Sequence, residues 1–485
     1  MEKRGVTRPQ MKKDENSGGM NPAQRHQMLV SHHRNTQWVY WMLVLLGVWL
    51  IATPLTFQFS KEVVAPAGGR ELWISLNARL SLFFWSDIIS GFLLILLGFR
   101  AVKPDRPLSL WIACIIGVWL NAAPLLFWAP NPLIYLNDTL VGSLVIALTI
   151  LIPGMPNMIN YMKMGPEQPP GWSYNPSSWP QRAVMIALGF AGWLVSRYLG
   201  AFQLGYFENV WDPFFGEASR KVLTSKMSEM WPISDGGLGA FSYTFEFLMG
   251  WMGSPSRWRT MPWMVTFFGI LVIPLGLTHI FLVISQPVVV GHWCTMCLLA
   301  ALIMLPMIPL EVDEVVAMIQ FLQKARKQGK PFWRTFWKGD TLEDGGEDKR
   351  SPGIMQIQDK PAAIFKASIW GMSFPLTLLV AAALGVWTMA VPGIFGSSGM
   401  AAHIEHLAGA LIVTTSVIAM GEVVRSLRFF NLLLGAVLVI GPWLLGGAAT
   451  AGMISDILVG LLVIGLSLPR GRVREQYGSW NRYIK

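Results

Sequence analysis

Charge is scarce in this chain. Asp, Glu, Lys and Arg make up 14% of its 485 residues, whereas a soluble globular chain carries about 25%. That shortage excludes disorder, coiled coil and an ordinary soluble enzyme, which would need more polar surface around cores of this size. Cysteine is also rare: Cys114, Cys294 and Cys297 are the only three. Three thiols exclude a disulfide-stapled scaffold and a four-cysteine zinc site, and leave one Cys-x-x-Cys pair. No Walker loop, dinucleotide fingerprint or His-Glu-x-x-His motif stands out, which removes the commonest nucleotide and zinc-hydrolase signals.

What the chain has is apolar residues, 53% of the total, with a mean hydropathy of +0.45. They come in long blocks such as 39–55 and 183–195. A membrane helix needs about 20 mostly apolar residues. That template finds about twelve candidates, near 38–56, 80–99, 108–128, 137–153, 183–201, 237–253, 261–285, 290–309, 367–392, 401–420, 429–447 and 453–469. The expected fold is an all-α polytopic membrane protein in a lipid bilayer. The net charge of +10 would suggest nucleic acid in a soluble chain. Here the basic residues flank apolar blocks and read as orientation signals, so no nucleic-acid partner is expected.

Residues 1–36 carry Lys3, Arg4, Arg8, Lys12, Lys13, Arg25 and Arg34 and read as a cytoplasmic polar arm. The first apolar block is long enough to span, and no cleavable signal peptide is evident. With the arm inside, the inner loops hold Arg100 and Lys103, Arg182, Arg257 and Arg259, a basic stretch from Lys324 to Lys338, Arg425 and Arg428, and Arg470 to Arg474. Both termini are therefore expected in the cytoplasm. The longest outer loop, 202–236, mixes both signs of charge.

An internal repeat is visible. Four segments place Pro seven residues after Gly: Gly47/Pro54, Gly117/Pro124, Gly385/Pro392 and Gly435/Pro442. Each is followed by an acid and, four residues on, a Gly: Asp87/Gly91, Asp138/Gly142, Glu405/Gly409 and Asp456/Gly460. Each unit reads as a pair of membrane helices. The Pro ends the first helix, the acid caps the start of the second, and the Gly allows close helix approach. Two units lie on either side of a middle segment, which suggests a layout in seven parts. These are a polar arm (1–36), two repeats (37–155), a Pro-rich linker (156–182), a four-helix domain (183–325), a charged cytoplasmic linker (326–366), two more repeats (367–470) and a basic tail (471–485). The flanking units, with Thr53-Pro54-Leu55, Ala123-Pro124-Leu125, Val391-Pro392-Gly393 and Gly441-Pro442-Trp443, resemble the SPW-repeat membrane domain. That resemblance implies a packing module.

The chemically sharp feature is His292-Trp293-Cys294-Thr295-Met296-Cys297. Two cysteines so spaced at a helix start can form a disulfide across one turn, and the helix N-terminus favours a thiolate. The loop charges put this start on the outer, oxidising face. Three readings stay open: a redox pair, a passive pair packed in lipid, and a zinc site completed by His279 and His292.

Around this motif, 183–325 resembles the vitamin K epoxide reductase family. Its helix order matches, as do the loop stretch 219–225 and the helix start Asp235-Gly236-Gly237-Leu238-Gly239-Ala240-Phe241-Ser242-Tyr243. The resemblance implies that electrons pass from thiols through Cys294 and Cys297 to a quinone, with Cys297 facing the quinone and Cys294 the incoming thiol. It also implies two relay cysteines in the loop, but Trp211 and Ser219 stand at those positions and neither can exchange thiols. The donor is therefore expected to be a separate thioredoxin-like thiol protein on the outer face. The family's quinone-side amide falls at Asp235, and its hydroxyl position falls at Ala301. His279 is the second expected quinone contact, as an ionisable group inside a membrane helix.

Other residues are weighed beside these. Glu246 is expected to pair with Arg197. His403 and His406, three apart, could share a helix face for a metal, although Glu405 between them is explained by the repeat. Cys114 reads as inert packing. The expected function is a quinone-linked membrane thiol–disulfide oxidoreductase, in a bacterial inner membrane. The alternative is a non-catalytic scaffold, with a degenerate redox domain, that holds partners in a membrane complex.

Overall fold

In the computed structural model, residues 22–104, 106–153, 165–352 and 361–484 are described, and every regular element among them is helical. Part of the polar arm (1–21) and parts of both linkers (154–164 and 353–360) lie outside the described residues. A polar helix, α1 (Pro22–Asn35), leads into the bundle. Among the described residues, eleven helices are long and apolar enough to cross a bilayer. They are α2 (Gln37–Thr56), α3 (Leu76–Ala101), α4 (Pro107–Leu126), α5 (Pro132–Leu151), α6 (Trp179–Gln203), α9 (Pro262–Val289), α10 (Thr295–Lys327), α11 (Leu376–Phe395), α12 (Gly399–Ile418), α13 (Glu422–Leu444) and α14 (Thr450–Ser467). The chain is a polytopic membrane protein.

The sequence count was about twelve. The difference is α8 (Asp235–Trp251), which has 17 residues and lies at the short end of the spanning range. It still runs antiparallel beside α6: Gly189 abuts Phe247, Gly192 abuts the Tyr243 ring, and Gly200 abuts Gly237. Arg182, expected as an inner-loop charge, is buried and donates to the carbonyls of Gly250, Met252 and Gly253, closing the end of α8.

The four repeats form four helix pairs, α2/α3, α4/α5, α11/α12 and α13/α14. In each pair the two motif glycines are the contact point. A Cβ added at Gly47 or Gly91 would stand 2.5 Å from the carbonyl oxygen of the other, and one at Gly385 or Gly409 2.6 Å. The same holds for Gly117 with Gly142 and for Gly435 with Gly460. Only a residue without Cβ lets the backbones meet there. The motif prolines sit in the last turn of the first helix of each pair, where a lost hydrogen bond costs least.

The capping role expected for the acids is not what the structure holds. The helices begin earlier than the apolar runs suggest, and Ser75 and Asn131 cap α3 and α5 instead. All four acids lie beyond the first turn and are buried. Asp87 faces Asp138 within hydrogen-bonding reach, joining repeats one and two, and Glu405 faces Asp456, joining three and four.

The bundle has two ends. At one, α1 meets the loop after α3 (His33 Nε2 to the Val102 carbonyl, 3.0 Å), and the C-terminal tail pairs with the segment before α6 at Trp172 and Tyr477. At the other end the repeat loops grip the loop between α6 and α8. Arg70 donates to the carbonyls of Ser228, Glu229 and Trp231, and its guanidinium lies 4.7 Å from the Trp128 ring centre.

Candidate active site

Cys294 is the N-cap residue of α10, and its Sγ accepts the Cys297 N–H at 3.1 Å. An N-cap residue and the third helical residue lie on the same side of the first turn, so the spacing brings the sulfurs together, and they are joined as a disulfide. Cys294 is fully buried and Cys297 nearly so, among Phe202, Val222 and Leu223. Two of these cover residues belong to α7 (Ala218–Leu223), a short helix in the loop between α6 and α8.

That loop is fastened to the cysteine turn. Asp212 accepts hydrogen bonds from the Thr295 hydroxyl, from the Phe215 N–H at 2.8 Å and from the Ser219 N–H at 3.1 Å. The Ser219 hydroxyl oxygen accepts the Thr295 N–H at 3.2 Å. Slight burial works against the Asp212 charge, but the hydrogen bonds from Thr295, Ser219 and the Phe214 and Phe215 amides outweigh it and hold the carboxyl below its ordinary range. Of the two positions where the resemblance led us to expect relay cysteines, Ser219 touches the cysteine turn, while Trp211 is 66% exposed.

Behind the disulfide a cavity of about 430 Å³ opens between α6, α8, α9 and α10. Cys297, Asp235 and His279 all line it, and Cys294 does not. Asp235 stands in the first turn of α8, and its Oδ1 accepts from the Gly236 N–H at 2.8 Å, the Ser228 hydroxyl at 3.2 Å and the Gln203 amide. Gln203 also accepts, through Oε1, from the Ser234 hydroxyl at 2.6 Å and the Gly236 N–H at 3.0 Å. The His279 ring meets the edge of Tyr243 with centroids 6.5 Å apart, and the Tyr243 hydroxyl donates to the Ala300 carbonyl at 3.3 Å. Ala300 lines the cavity, and Ala301 is not among its walls.

The expected Glu246–Arg197 pair is absent. Arg197 lies on the other side of α6, donating to Thr139 Oγ1 at 2.7 Å and stacking 4.7 Å from the Tyr135 ring centre. Glu246 faces the cavity with both carboxyl oxygens buried and unpartnered. Sequence reasoning also missed Gln203, Asp212 and Gln286, whose Oε1 accepts the Cys294 N–H at 3.3 Å. Only Asp212 carried a signal, as an acid in the loop that had to approach a helix N-terminus. His292 is partly exposed. His406 meets the Trp293 ring with centroids 5.8 Å apart, so the third repeat packs against the cysteine segment. Among the described residues no three His, Cys, Asp or Glu side chains gather as a metal site. Cys114 is buried and free.

This arrangement, a disulfide at a helix start backed by a cavity inside a four-helix unit, occurs where the sequence matches a known family. Residues 183–312 match the vitamin K epoxide reductase family, and residues 37–151 and 376–469 match the SPW repeat domain. The chain carries a vitamin K epoxide reductase family domain flanked by SPW repeat domains. No curated protein and no solved structure matches the chain. The vitamin K epoxide reductase domain suggests a membrane thiol–disulfide oxidoreductase that uses quinone, and the Cys294–Cys297 pair is in place for it.

Proposed function

We propose that this protein oxidises a separate thioredoxin-like thiol protein and passes the two electrons through Cys294 and Cys297 to quinone. The observation that carries this reading is the cavity behind the disulfide, which Cys297 lines and Cys294 does not. A donor thiolate attacks Cys294 Sγ, breaking the Cys294–Cys297 bond and leaving a Cys297 thiolate. The donor's second thiol then resolves the mixed disulfide. The apolar cavity walls and the unpartnered Glu246 carboxyl fit a flat, largely apolar molecule with hydrogen-bonding oxygens. Glu246, His279 and Tyr243 would hold it. Quinone, when bound, supplies a two-electron, two-proton acceptor. Asp235, tied into the Gln203 network, lines the same cavity.

The basic loops support an orientation with both termini in the cytoplasm of a bacterial cell and the cysteine end outside. The 326–366 segment then lies with the termini.

The test is substitution in the intact protein. Cys294→Ser and Cys297→Ser should each abolish thiol-dependent quinone reduction, Cys297→Ser should trap the donor on Cys294, and Cys114→Ser should change neither. A second reading, a scaffold subunit, draws support from the absence of any cysteine in 115–293 and from the full burial of Cys294. It takes over if no outer thiol is ever oxidised and the double cysteine variant still supports its membrane complex.

A further inference from the structure

Glu246 is fully buried and lines the cavity, yet neither carboxyl oxygen has a hydrogen-bond partner. An ionisable side chain kept this way inside a membrane bundle marks an ion or proton path by default. It has a companion further from the cysteines. Glu311 lies on α10, about 21 Å along the helix from Cys297 at about 1.5 Å per residue. It is buried, its Oε1 is unpartnered, and it interacts electrostatically with Glu246, Glu314, Asp313 and Arg257.

Beyond Glu311 the groups are hydrogen-bonded. Arg257 holds Glu314, with Nε to Oε1 at 2.6 Å. The Tyr174 hydroxyl donates to Asp313 Oδ2 at 2.6 Å, and the Tyr174 ring meets the Tyr477 ring edge-on with centroids 6.0 Å apart. Tyr477 donates to Glu422 Oε2 at 2.9 Å, and Glu422 accepts the Glu475 N–H at 3.0 Å. Glu475 is paired with Arg350, whose side chain is 40% exposed. A series of acids and hydroxyls thus runs from the cavity to the end of the bundle opposite the cysteines. A structural ion pair would need only Arg257 and Glu314. It leaves two further buried acids with unpartnered oxygens unexplained.

We propose that Glu246 and Glu311 carry protons to the cavity from the end of the bundle where Arg350 and Glu475 lie, so that proton uptake is on the side opposite the cysteines. This rests on the oxidoreductase reading above. For each donor dithiol, two S–H bonds break and one S–S bond forms. Two electrons leave through the cysteine pair, and the two thiol protons go to the solution at the cysteine end. Quinone leaves as hydroquinol, with two other protons drawn through Glu311 and Glu246. The balance is dithiol, quinone and two protons from the Arg350 end giving disulfide, hydroquinol and two protons at the cysteine end. Each turnover therefore separates charge across the bilayer.

The test uses the full chain in sealed vesicles oriented with the cysteine end outward, with a pH indicator trapped inside. Dithiothreitol is the donor and a fully substituted benzoquinone the acceptor, with protein-free vesicles subtracted. The lumen should become alkaline by two protons per quinone reduced. Glu311→Gln and Glu246→Gln should each cut this uptake at least tenfold, while in Glu311→Gln dithiothreitol still reduces the disulfide at the wild-type rate. In quinone-free protein, the infrared difference between disulfide and dithiol forms should contain a carboxyl band that Glu246→Gln removes. Quinone reduction with all protons taken from the cysteine side overturns the route alone, as does a spectrum that neither substitution alters. No dithiol-dependent quinone reduction in wild type overturns the oxidoreductase reading and the route with it.

Discussion

Asp212, in the loop between α6 and α8, accepts a hydrogen bond from the hydroxyl of Thr295, the residue that follows Cys294. The segment that covers the disulfide is thereby fastened to the turn that carries it. Removing the Asp212 carboxylate should lower the free energy of opening by about 1–2 kcal/mol, roughly tenfold in the open population. Asp212→Ala in a Cys114→Ser background should therefore speed maleimide labelling of the reduced pair about tenfold. The helical signal in circular dichroism should not change.

Glu475 gives a pH dependence at the other end of the bundle. Burial works against its charge, but the hydrogen bonds from Arg350 and Ser173 prevail and hold the carboxyl below its ordinary value. A depressed folded-state pKa contributes stability that is complete above the unfolded value, about 4.3. That contribution is lost as pH falls through the folded value. Glu475→Gln should cost about 1 kcal/mol at pH 7, a small figure because Arg350 is partly exposed. The gap between the two melting temperatures should persist down to about pH 4.3 and close only below it.

The glycine contacts separate packing from propensity within a single helix. Gly460 and Gly465 both lie in α14. A Cβ at Gly460 would stand 2.6 Å from the Gly435 carbonyl oxygen, while one at Gly465 meets nothing within 4 Å. Gly460→Ala should destabilise by about 1–3 kcal/mol through overpacking. Gly465→Ala should stabilise slightly, by up to about 1 kcal/mol. Thermal unfolding in detergent distinguishes the two.

The orientation proposed above puts the end with the termini in the cytoplasm. Reporter fusions at residues 225 and 340 should lie on opposite sides of the membrane, with 340 on the side of the termini. Both reporters on one side would overturn the orientation.

Much of the architecture was legible because it repeats locally. The Gly–Pro and acid–Gly spacings located four helix pairs, and the motif glycines are their contact points. The acids were misread because apolar runs such as 137–153 suggested a helix start at Asp138, whereas α5 begins at Pro132. Their pairing across repeats cannot be read from spacing within one repeat. At the candidate site, Cys297 and Asp235 were singled out through motif order and His279 as an ionisable group inside a membrane helix, and all three line one cavity. Gln203 and Gln286 were invisible because each acts on a partner brought near by helix packing or by the loop fold, and Asp212 showed only as an acid in the loop that approaches a helix N-terminus. Glu246 was visible as an acid in a membrane helix. Its partner was guessed wrongly because Arg197 and Glu246 sit on adjacent helices but face different neighbours.

The full burial of Cys294 has a kinetic consequence. A sulfur that no solvent molecule touches reacts only in the fraction of time its cover is displaced. In the reaction proposed above, the rate at low donor concentration would follow collisions. At high concentration it levels off at the frequency with which the 204–234 segment lifts. Arg70, which holds the segment from a helix pair that carries no thiol, would help to set that frequency. The SPW repeats would then act as the timer of a reaction in which they take no chemical part.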